Sequence, residues 1–600
     1  MKRPYIYKKV KGLATALVLA PLSASLFSGC SDFLDIKPQT EIIHEEFWQE
    51  KSDVDAIVAG LYAALEADPL VRRMIVWGEG RTENVMAGSD IDKDVNLNNI
   101  FKESITAKNS YCTWDGFYNI INRCNIILKY APEVAHRDPG YTQSELKATE
   151  AEVIAIRSLC YFYLIRTFRD VPYTTEAYID DSQKMDLPAT PFATVLDNLI
   201  ADLERVKGNA IARYSTNKPA YQTGRITRDA IYAMLCEMYL WQGNYQQSCY
   251  YADLVIASKT QFKKEQDSKS TTASSESADQ FGGFPLVSNV SASNTYGKAY
   301  NDIFVDGNSV ETIFELVYDN TEAGHSMLSN SAAGQLYGNG VLPGRMAPAN
   351  IVVNDIESES TDAYKIFSKE NGKKDARMVQ NAGFVIGSQV NITKFVMKDV
   401  IIDGSGAKLS ATGTAYNYAK KNNVEYWYTS SNWIIYRITD IMLLKAEALC
   451  QLTRTGDDAD TKKYNDSILT AAFDLVQAVN DRALCEAVPT SRLAKANYNT
   501  KEKMETLVLQ ERHRELMFEG KRWYDLVRRS LRDNNTSVLQ EAMLNREGPN
   551  AQLAKAFFSD KANANWKWAI FWPYFYEETL VNKNLKANPA YSDGNDSSIK

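Results

Sequence analysis

The sequence predicts a mainly α-helical fold, in which tetratricopeptide-like helix pairs form a scaffold that carries a loop-rich region with a few short strands. Apolar residues recur at steps of three and four in several segments, which is the period of one buried helix face. Two such segments flank a turn at Gly243 and Asn244, as in an antiparallel helix pair. From about residue 263 to 430 this period is lost, and Gly, Asn and Ser clusters separate short apolar runs.

The chain opens with a basic stretch, MKRPYIYKKVKG, followed by a short apolar run, LATALVLAPLSASLF. This is the plan of a secretory signal peptide, and the run is too short to span a bilayer, which takes roughly 20 apolar residues. Ser28 and Gly29 before Cys30 resemble a bacterial lipobox, so residues 1–29 are predicted to be removed and Cys30 to be acylated. The alternative is an ordinary secretory signal in which Cys30 has no role. Several acyl chains on Cys30 would make a lasting membrane tether.

The helical segments follow in order along the chain. WDGFYNIINRCNIILKY, residues 114–130, has one apolar face. SELKATEAEVIAIRSLCYFYLIRTF, residues 144–168, has Ser144 as its predicted N-cap and ends before Pro172. The first helix pair occupies residues 224–258 and is about one tetratricopeptide repeat long. A second pair is predicted from WIIYRITDIMLLKAEALC and SILTAAFDLVQAVNDRA, which a polar stretch joins.

Two stretches of the chain are predicted to contain the ligand-binding residues. One is the loop-rich region at about 263–430, and the other is a loop at about 70–110. Loops that a rigid scaffold holds in place are where binding residues concentrate. We therefore expect the ligand site where these two stretches lie.

Charge and cysteine usage argue against nucleic-acid binding, a disulfide framework and a zinc site. The formal net charge is -8, and no basic stripe appears outside the N-terminal segment, so nucleic acid is not an expected ligand. The cysteines after Cys30 are odd in number and contain no C-x-x-C pair, which indicates neither a disulfide framework nor a zinc site. Most of them are predicted to be small buried hydrophobic residues.

Eight segments stand out in order along the chain. They are CSDFLD, WDGFYNIINRCN, AEVIAIRSLCYFYLIRTFRDVPY, GRITRDAIYAMLCEMYLWQGNY, SVETIFELVY, YRITDIMLLKAEAL, LQERHRELMFEGKRWYDLVRR and AIFWPYFYEETLVNKNLKANPAY. Together they resemble the SusD/RagB family of nutrient-binding outer-membrane lipoproteins, over nearly the whole chain after Cys30. None of the motifs is specific alone, and the resemblance depends on their order. One departure is NPAY near the C-terminus, where the family commonly has NPGY.

The resemblance implies a single α-helical domain, residues 30–600, at the outer face of a Gram-negative outer membrane. It implies a SusC-like TonB-dependent transporter as partner, and oligosaccharides, or peptides in some members, as the captured ligand. It implies no bond chemistry. The acids Asp32 and Asp35 resemble the acidic tether that accompanies export to the outer face in these bacteria.

Capture of a sugar needs an aromatic ring face for its C–H face, with amide, carboxylate or guanidinium groups for its hydroxyls. Three loop segments offer such groups, namely WGEGRTENV, SNTYGKAY and GQLYGNGVLPGR. Each ring has the alternative of filling the core beneath its loop. The candidate ligand-binding residues are Trp77, Arg81, Asn84, Tyr296, Tyr300, Tyr337 and Arg345.

A catalytic reading finds no motif to support it. There is no G-x-S-x-G elbow and no H-E-x-x-H pair, and two glycosidase carboxylates cannot be recognised from sequence because their separation is spatial. The segment 511–529, ERHRELMFEGKRWYDLVRR, is predicted to be frame, with charges on a solvated face and an ion-paired seam. The alternatives to glycan capture are a peptide-binding RagB-like member, a surface glycan-processing enzyme and a helical-repeat adaptor that grips a protein.

One segment resembles the start of a calcium loop. Asp90, Asp92 and Asp94 alternate as calcium ligands do, but Val95 replaces the turn glycine and Phe101 the bidentate glutamate. The alternative is a solvated acidic loop. A structural calcium ion would order this loop without taking part in chemistry, and no other cofactor is expected.

Overall fold

The computed structural model of this chain describes residues 47–180, 182–215, 219–269, 280–290, 295–318, 330–338, 343–357, 366–367, 375–386, 389–396, 402–403, 431–485, 493–546 and 551–591. Trp48–Lys600 forms one unit by its internal contacts, apart from Met1–Phe47. The predicted signal segment and Cys30 lie outside the described residues, as does much of the predicted loop-rich region.

The N-terminal part of the fold is helical. Its helices are α1 Lys51–Leu65, α2 Asp68–Glu79, α3 Val95–Phe101, α4 Asp115–Arg137 and α5 Gln143–Phe168. Helix α5 is buried on every side from Ala151 to Phe168, so it forms the centre of this part. Its N-cap is Thr142, which makes a capping box with Glu145, and the prediction of Ser144 was wrong by two residues.

The predicted helix pair is present in the next part of the chain. Helices α6 Phe192–Val206 and α7 Pro219–Gly224 precede α8 Arg228–Gln242 and α9 Tyr245–Lys269, which pack side by side. Gly243 closes α8 with φ 84°, a left-handed conformation that glycine adopts without steric cost. Helix α9 continues past the predicted end of the pair into the segment expected to be loop-rich.

The middle of the chain supplies short strands and short helices. The helices are α10 Lys298–Tyr300, a π-helical turn at Asn301–Val305, α11 Ser331–Tyr337, α12 Asn350–Glu357 and α13 Arg377–Asn381. The strands form antiparallel pairs: β1 Val85–Ala87 with β6 Met346–Pro348, β2 Val171–Pro172 with β3 Ala189–Thr190, β4 Thr295–Tyr296 with β9 Ile402–Asp403, β5 Thr312–Leu316 with β10 Trp433–Arg437, and β7 Ala382–Ile386 with β8 Gln389–Ile392. Among these, β5, β6 and β10 are buried along their whole length.

The C-terminal part returns to helices. They are α14 Ile438–Gln451, α15 Ala459–Ala483, α16 Lys501–Leu516, α17 Arg522–Asp533, α18 Ser537–Asn545, α19 Ala551–Phe558, α20 Trp566–Ala569 and α21 Tyr576–Val581. Helix α14 packs against α9, α15 and α16, which joins the two predicted helix pairs into one frame. Short 3-10 turns complete the described structure at Ile91–Lys93, Ser110–Cys112, Gln280–Gly283 and Lys495–Tyr498. The mainly α-helical prediction is confirmed.

The charged face of α16 is buried, which corrects the prediction of a solvated face. Glu515 contacts Arg377, Arg437 and Arg482 at once, and Glu511 accepts hydrogen bonds from Arg377 and Arg514. These arginines hold the pKa of Glu515 well below its usual range against the opposing effect of burial. The ion-paired seam was expected, and it lies inside the molecule because α13, β10 and α15 cover it.

Most of the described cysteines are buried thiols outside any disulfide, which confirms the prediction of small buried residues. Those that are buried are Cys112, Cys124, Cys160, Cys236, Cys249 and Cys450, whereas Cys485 is partly exposed. Burial raises the pKa of the Cys124 thiol to about 12, so this sulfur stays protonated and unreactive at neutral pH. In the part of the chain described, every helix is too short or too polar to cross a membrane.

Candidate ligand-binding site

Trp77 lies in α2 and not in a loop, and its ring is fully buried. It stacks on Phe117 at 5.1 Å between ring centroids and meets Phe168 edge-on at 5.3 Å. Its indole N–H donates to the Tyr111 carbonyl at 2.8 Å. A ring with both faces covered by core residues cannot serve as a sugar platform, so the expectation for Trp77 is corrected. Its role here is to support the surface loop that contains Tyr111.

Arg81 and Asn84 are buried beneath the same loop. The Arg81 guanidinium lies 4.7 Å from the Trp523 ring centroid and 4.8 Å from that of Phe558. Asn84 donates to Glu79 at 3.0 Å and contacts His513. Neither side chain reaches the surface, because the C-terminal helices cover both of them.

The predicted tyrosines also pack inward, which corrects their expected exposure. Tyr296 is 4% exposed, Tyr300 2% and Tyr337 1%. The Tyr300 hydroxyl donates to the Thr393 carbonyl at 3.0 Å, and the Tyr337 hydroxyl donates to that of Phe518 at 3.0 Å. Their loops use these rings to attach to the frame, which was the alternative that the sequence left open.

Tyr300 borders a small cavity between the loop-rich region and the frame. The cavity has a volume of about 30 Å³, which leaves room for water but not for a sugar ring. Its charged lining includes Arg377, Lys394, Arg437 and Glu515. The side-chain hydrogen bonds of Arg377 go to acidic groups, and those of Arg437 go to acidic groups, Thr439 and the Glu515 carbonyl. Those of Lys394 go to Glu519 and backbone carbonyls, so this cavity is a packing void within the ion-paired seam.

Arg345 is the one member of the predicted set that remains at the surface. Its Nη1 donates to Asp94 Oδ2 at 3.3 Å, and the Tyr111 hydroxyl donates to the same oxygen at 2.7 Å. The Arg345 backbone N–H donates to the carbonyl of Gln335, whose side-chain amide oxygen accepts from Arg72 at 2.9 Å. Arg345 therefore joins the two predicted binding stretches.

We call this surface the arginine cluster and define it as Arg72, Arg73, Asp94, Tyr111, Gln335 and Arg345. Strands β1 and β6 hold its two halves in register, with Val85 opposite Pro348 and Ala87 opposite Met346. Helix α2 supplies Arg72 and Arg73, and α11 supplies Gln335. This strand pairing brings the two predicted binding stretches together at the cluster.

The cluster has hydrogen-bond donors to spare. Arg72 Nη1, Arg73 Nε and Arg345 Nε are buried and have no acceptor among the described residues. Burial lowers the pKa of Arg73 from its ordinary value, with Asp115 opposing the effect at 3.6 Å. A buried donor without an acceptor costs about 1–3 kcal/mol.

The calcium candidate has no support in the structure. Asp94 N-caps α3 through the Leu97 N–H and accepts from Tyr111 and Arg345, while Asp90 pairs with Lys93 at 2.8 Å. Asp92 lies in the 3-10 turn between them. Across the described ranges, no group of three or more His, Cys, Asp or Glu side chains is arranged to hold a metal ion.

The sequence reasoning missed Arg72, Arg73, Tyr111 and Gln335. A helical signal for the first two was available, since Leu70, Val71, Met74 and Ile75 recur at helical spacing after a Pro in the first turn. That signal would have placed Arg72 and Arg73 on the exposed face of a helix. Nothing in the sequence pairs Gln335 with Arg72, because that contact spans 263 positions.

Comparison with known proteins places the chain in a family. Residues 261–591, more than half of the chain, match the model of the SusD family. Residues 32–240 match a second model, described as starch-binding associating with outer membrane.

Individual relatives cover almost the whole chain. SusD-like protein P38 of Formosa agariphila is 24% identical over 605 residues, 97% of this chain and 100% of the relative. A SusD superfamily protein of Bacteroides thetaiotaomicron has a similar fold, with a TM-score of 0.55 at 21% identity, covering 91% of this chain and 99% of its own. A laminarin-binding SusD-like protein gives a TM-score of 0.57 at 19% identity and covers 90% and 100%. The helical frame and these matches together show that the chain belongs to the SusD family.

Proposed function

We propose that this protein is a cell-surface lipoprotein that captures oligosaccharides and delivers them to a SusC-like TonB-dependent outer-membrane transporter. The observation that carries the proposal is the family match, which covers residues 32–240 and 261–591. Family membership supports a glycan-binding surface protein. The laminarin-binding relative of the same fold agrees with a glycan as the ligand.

The arginine cluster supports a ligand rich in hydroxyl groups. It combines guanidinium donors with the Asp94 carboxylate and the Gln335 amide, and these are the groups that sugar hydroxyls bind. Hydrogen bonds among its members hold these side chains in place, which lowers the entropy lost when a ligand binds. Capture and release by such a surface require no bond chemistry, and we propose none.

Calorimetry against a panel of soluble glycans and peptides tests the proposal. We expect the mature protein to bind at least one glycan and to leave it intact. Chromatography after long incubation reports cleavage, and new reducing ends would favour the glycan-processing alternative. Binding of peptides alone would favour a RagB-like member and reject the glycan proposal.

The transporter partner needs a separate test in the membrane. The tagged full-length chain, expressed in its Gram-negative host, is solubilised with mild detergent and purified by the tag. We expect a TonB-dependent β-barrel transporter to co-purify in a stoichiometric amount. If the chain elutes without a transporter while it still binds glycan, capture stands and delivery to SusC is rejected.

A further inference from the structure

Arg169 directly follows helix α5 and has a backbone conformation that residues with a side chain rarely adopt. Its dihedral angles are φ 72° and ψ -85°, close to those of the rare, strained form of the γ-turn. Glycine is the residue that adopts a positive φ without steric cost. An arginine at this position therefore costs stability that a glycine would not cost.

Two other residues with a positive φ show what usually compensates such a backbone. Phe518 is fully buried and packs its ring against Tyr337. Glu103 forms an ion pair with the buried Arg546. The Arg169 side chain, in contrast, is 32% exposed. Burial does not explain why an arginine occupies this strained position.

The Arg169 guanidinium lies over the ring of Trp568 in α20, with its central carbon 4.0 Å from the ring centroid. Its Nε is 3.9 Å from Asp170 Oδ1, which is beyond hydrogen-bond distance. The Arg169 side chain makes no hydrogen bond to any residue that the structure describes. The contact with Trp568 thus fixes the guanidinium, while its N–H donors stay available to a ligand.

The Arg169 side chain is not needed to attach the end of α5 to the segment that contains α20. The Trp572 N–H donates to the Thr167 carbonyl at 2.8 Å, and the Tyr574 hydroxyl donates to the Asp170 carbonyl. These hydrogen bonds join the same two segments. A cation–π contact at an exposed site is worth no more than the strain of such a backbone costs. Packing alone would therefore favour a glycine in place of Arg169.

The charges around Arg169 suit a ligand group with a single negative charge. Asp170 lies near Nε and offsets part of the guanidinium charge, while its Oδ1 accepts the Phe192 N–H at 2.9 Å. A guanidinium presents a planar fork of N–H groups that matches two oxygens of one oxyanion. Hydrogen bonds to an ionised acceptor are also stronger than those to a neutral hydroxyl. The open donors of Arg169 therefore match a carboxylate or a sulfate group.

We propose that Arg169, held on Trp568, is a subsite for the oxyanion of an acidic sugar, namely the carboxylate of a uronic acid or a sulfate ester. Two N–H groups of the guanidinium donate to two oxygens of that group. The contact with Trp568 holds the guanidinium before the ligand arrives, which lowers the entropy lost on binding. The inference rests on the proposed glycan capture and deepens it, because it names acidic glycans as a ligand class.

Matched acidic and neutral oligosaccharides test the subsite. Oligogalacturonates and carrageenan oligosaccharides are titrated by calorimetry into the mature protein, each beside its carboxyl-reduced or desulfated twin. We expect Arg169→Gly to weaken binding of the acidic probe by about 10- to 150-fold in Kd, the range for charge-assisted hydrogen bonds, and to leave its twin unchanged. Arg169→Lys should lose most of the same affinity because lysine lacks the fork. The control Arg205→Ala, which removes an exposed arginine paired with Asp202, should bind as the parent does.

Thermal denaturation separates the subsite from a packing role. Arg169→Gly relieves the strained backbone, so its melting temperature should equal or exceed that of the parent. A lower melting temperature for Arg169→Gly, together with equal losses for the acidic probe and its twin, would assign Arg169 to packing and overturn the subsite.

The two oxyanions and the two proposals are distinguished by which probes bind. The acidic probe whose affinity depends on Arg169 identifies the group as a carboxylate or a sulfate. If Arg169→Gly binds the acidic probes as the parent does, or the parent binds only the neutral twins, the subsite is rejected while glycan capture stands. If the parent binds none of these saccharides, the subsite is rejected and capture of these glycans with it. Arg169-dependent binding of peptides with a free C-terminal carboxylate, without binding of acidic glycans, would overturn the assignment to sugars.

Discussion

Arg81 lies among the rings of Trp523, Phe558 and Trp572, with its guanidinium 4.7 to 5.7 Å from their centroids. Its Nη2 donates to the Ala569 carbonyl at 3.3 Å. The WGEGRTENV segment thus supplies residues that fill the core, although its composition is that of a binding loop. At the residue scale, the surface chemistry belongs to Arg72, Arg73 and Arg345.

Two buried tryptophans are expected to contribute strongly to the free energy of unfolding. Trp77→Ala and Trp523→Ala should each lower the free energy of unfolding by about 3–5 kcal/mol, because each leaves a large cavity in the core. Chemical denaturation measures the change, and Tyr250→Ala is the exposed control. A normal unfolding free energy for Trp77→Ala would contradict the burial of this ring.

The Arg345 side chain is expected to contribute to glycan binding. Arg345→Ala should weaken glycan binding by about 1.5–3 kcal/mol through loss of charge-assisted hydrogen bonds. Calorimetry measures it, and Arg205→Ala is the control, since Arg205 is an exposed arginine paired with Asp202. Equal affinities for Arg345→Ala and Arg205→Ala would remove the arginine cluster from the site.

Glu79 is expected to make stability depend on pH. Burial raises its pKa to about 8 from 4.5, so its contribution is full below pH 4.5 and is lost as the pH rises through 8. Glu79→Gln imitates the protonated carboxyl and lacks this loss. Relative to the parent, the variant should gain stability between pH 4.5 and 8 by on the order of 5 kcal/mol. Denaturation at several pH values measures the difference, and a constant difference would contradict a raised pKa.

At the element scale, α16 is the helix that attaches the loop-rich region to the frame. Lys394, which follows β8, donates to the carbonyls of Glu515 and Met517 at 3.1 Å each and to Glu519 at 2.7 Å. Arg437 at the end of β10 pairs with the same two glutamates. A buried network of this kind fixes one arrangement of strand and helix, because any slip would leave charges unpaired.

Removing the central carboxylate should therefore be costly. Glu515→Gln is expected to lower the free energy of unfolding by about 3–5 kcal/mol, since it leaves Arg377, Arg437 and Arg482 partly uncompensated in the interior. Asp55→Asn, which breaks the exposed pair with Lys51, is the control and should cost under about 1 kcal/mol. Thermal denaturation compares the two, and similar melting temperatures would mean that the network is not the attachment.

The helices were predictable because their apolar periods are long and local. The turn at Gly243, the pair of α8 and α9 and the frame role of Trp523 follow from such periods. The site was not predictable, since it depends on which loop rings turn inward. Trp77 is covered by Phe117 and Phe168, and no local pattern reveals those contacts.

At the scale of the whole molecule, we propose that the protein is anchored to the membrane through Cys30. The proposal rests on the family match and on the sequence before the described residues. A lipid on Cys30 would hold the frame at the membrane, next to a transporter. Cys30→Ala should therefore move the protein from the membrane fraction into the soluble fraction, while its glycan affinity stays unchanged. Fractionation and intact mass measure this. A mature terminus without acyl mass, or a terminus at another residue, would contradict the anchor.

The aromatic cage of Arg81 has a consequence for how the chain can fold as it is made. Roughly 440 residues separate Arg81 from Trp523, which is about 20 to 90 seconds of synthesis at 5–20 residues per second. Until then the N-terminal helices have no cover for this cation. The amino-terminal half therefore cannot complete its core ahead of the carboxyl-terminal helices, and a fragment that ends before α17 should aggregate where the full chain folds.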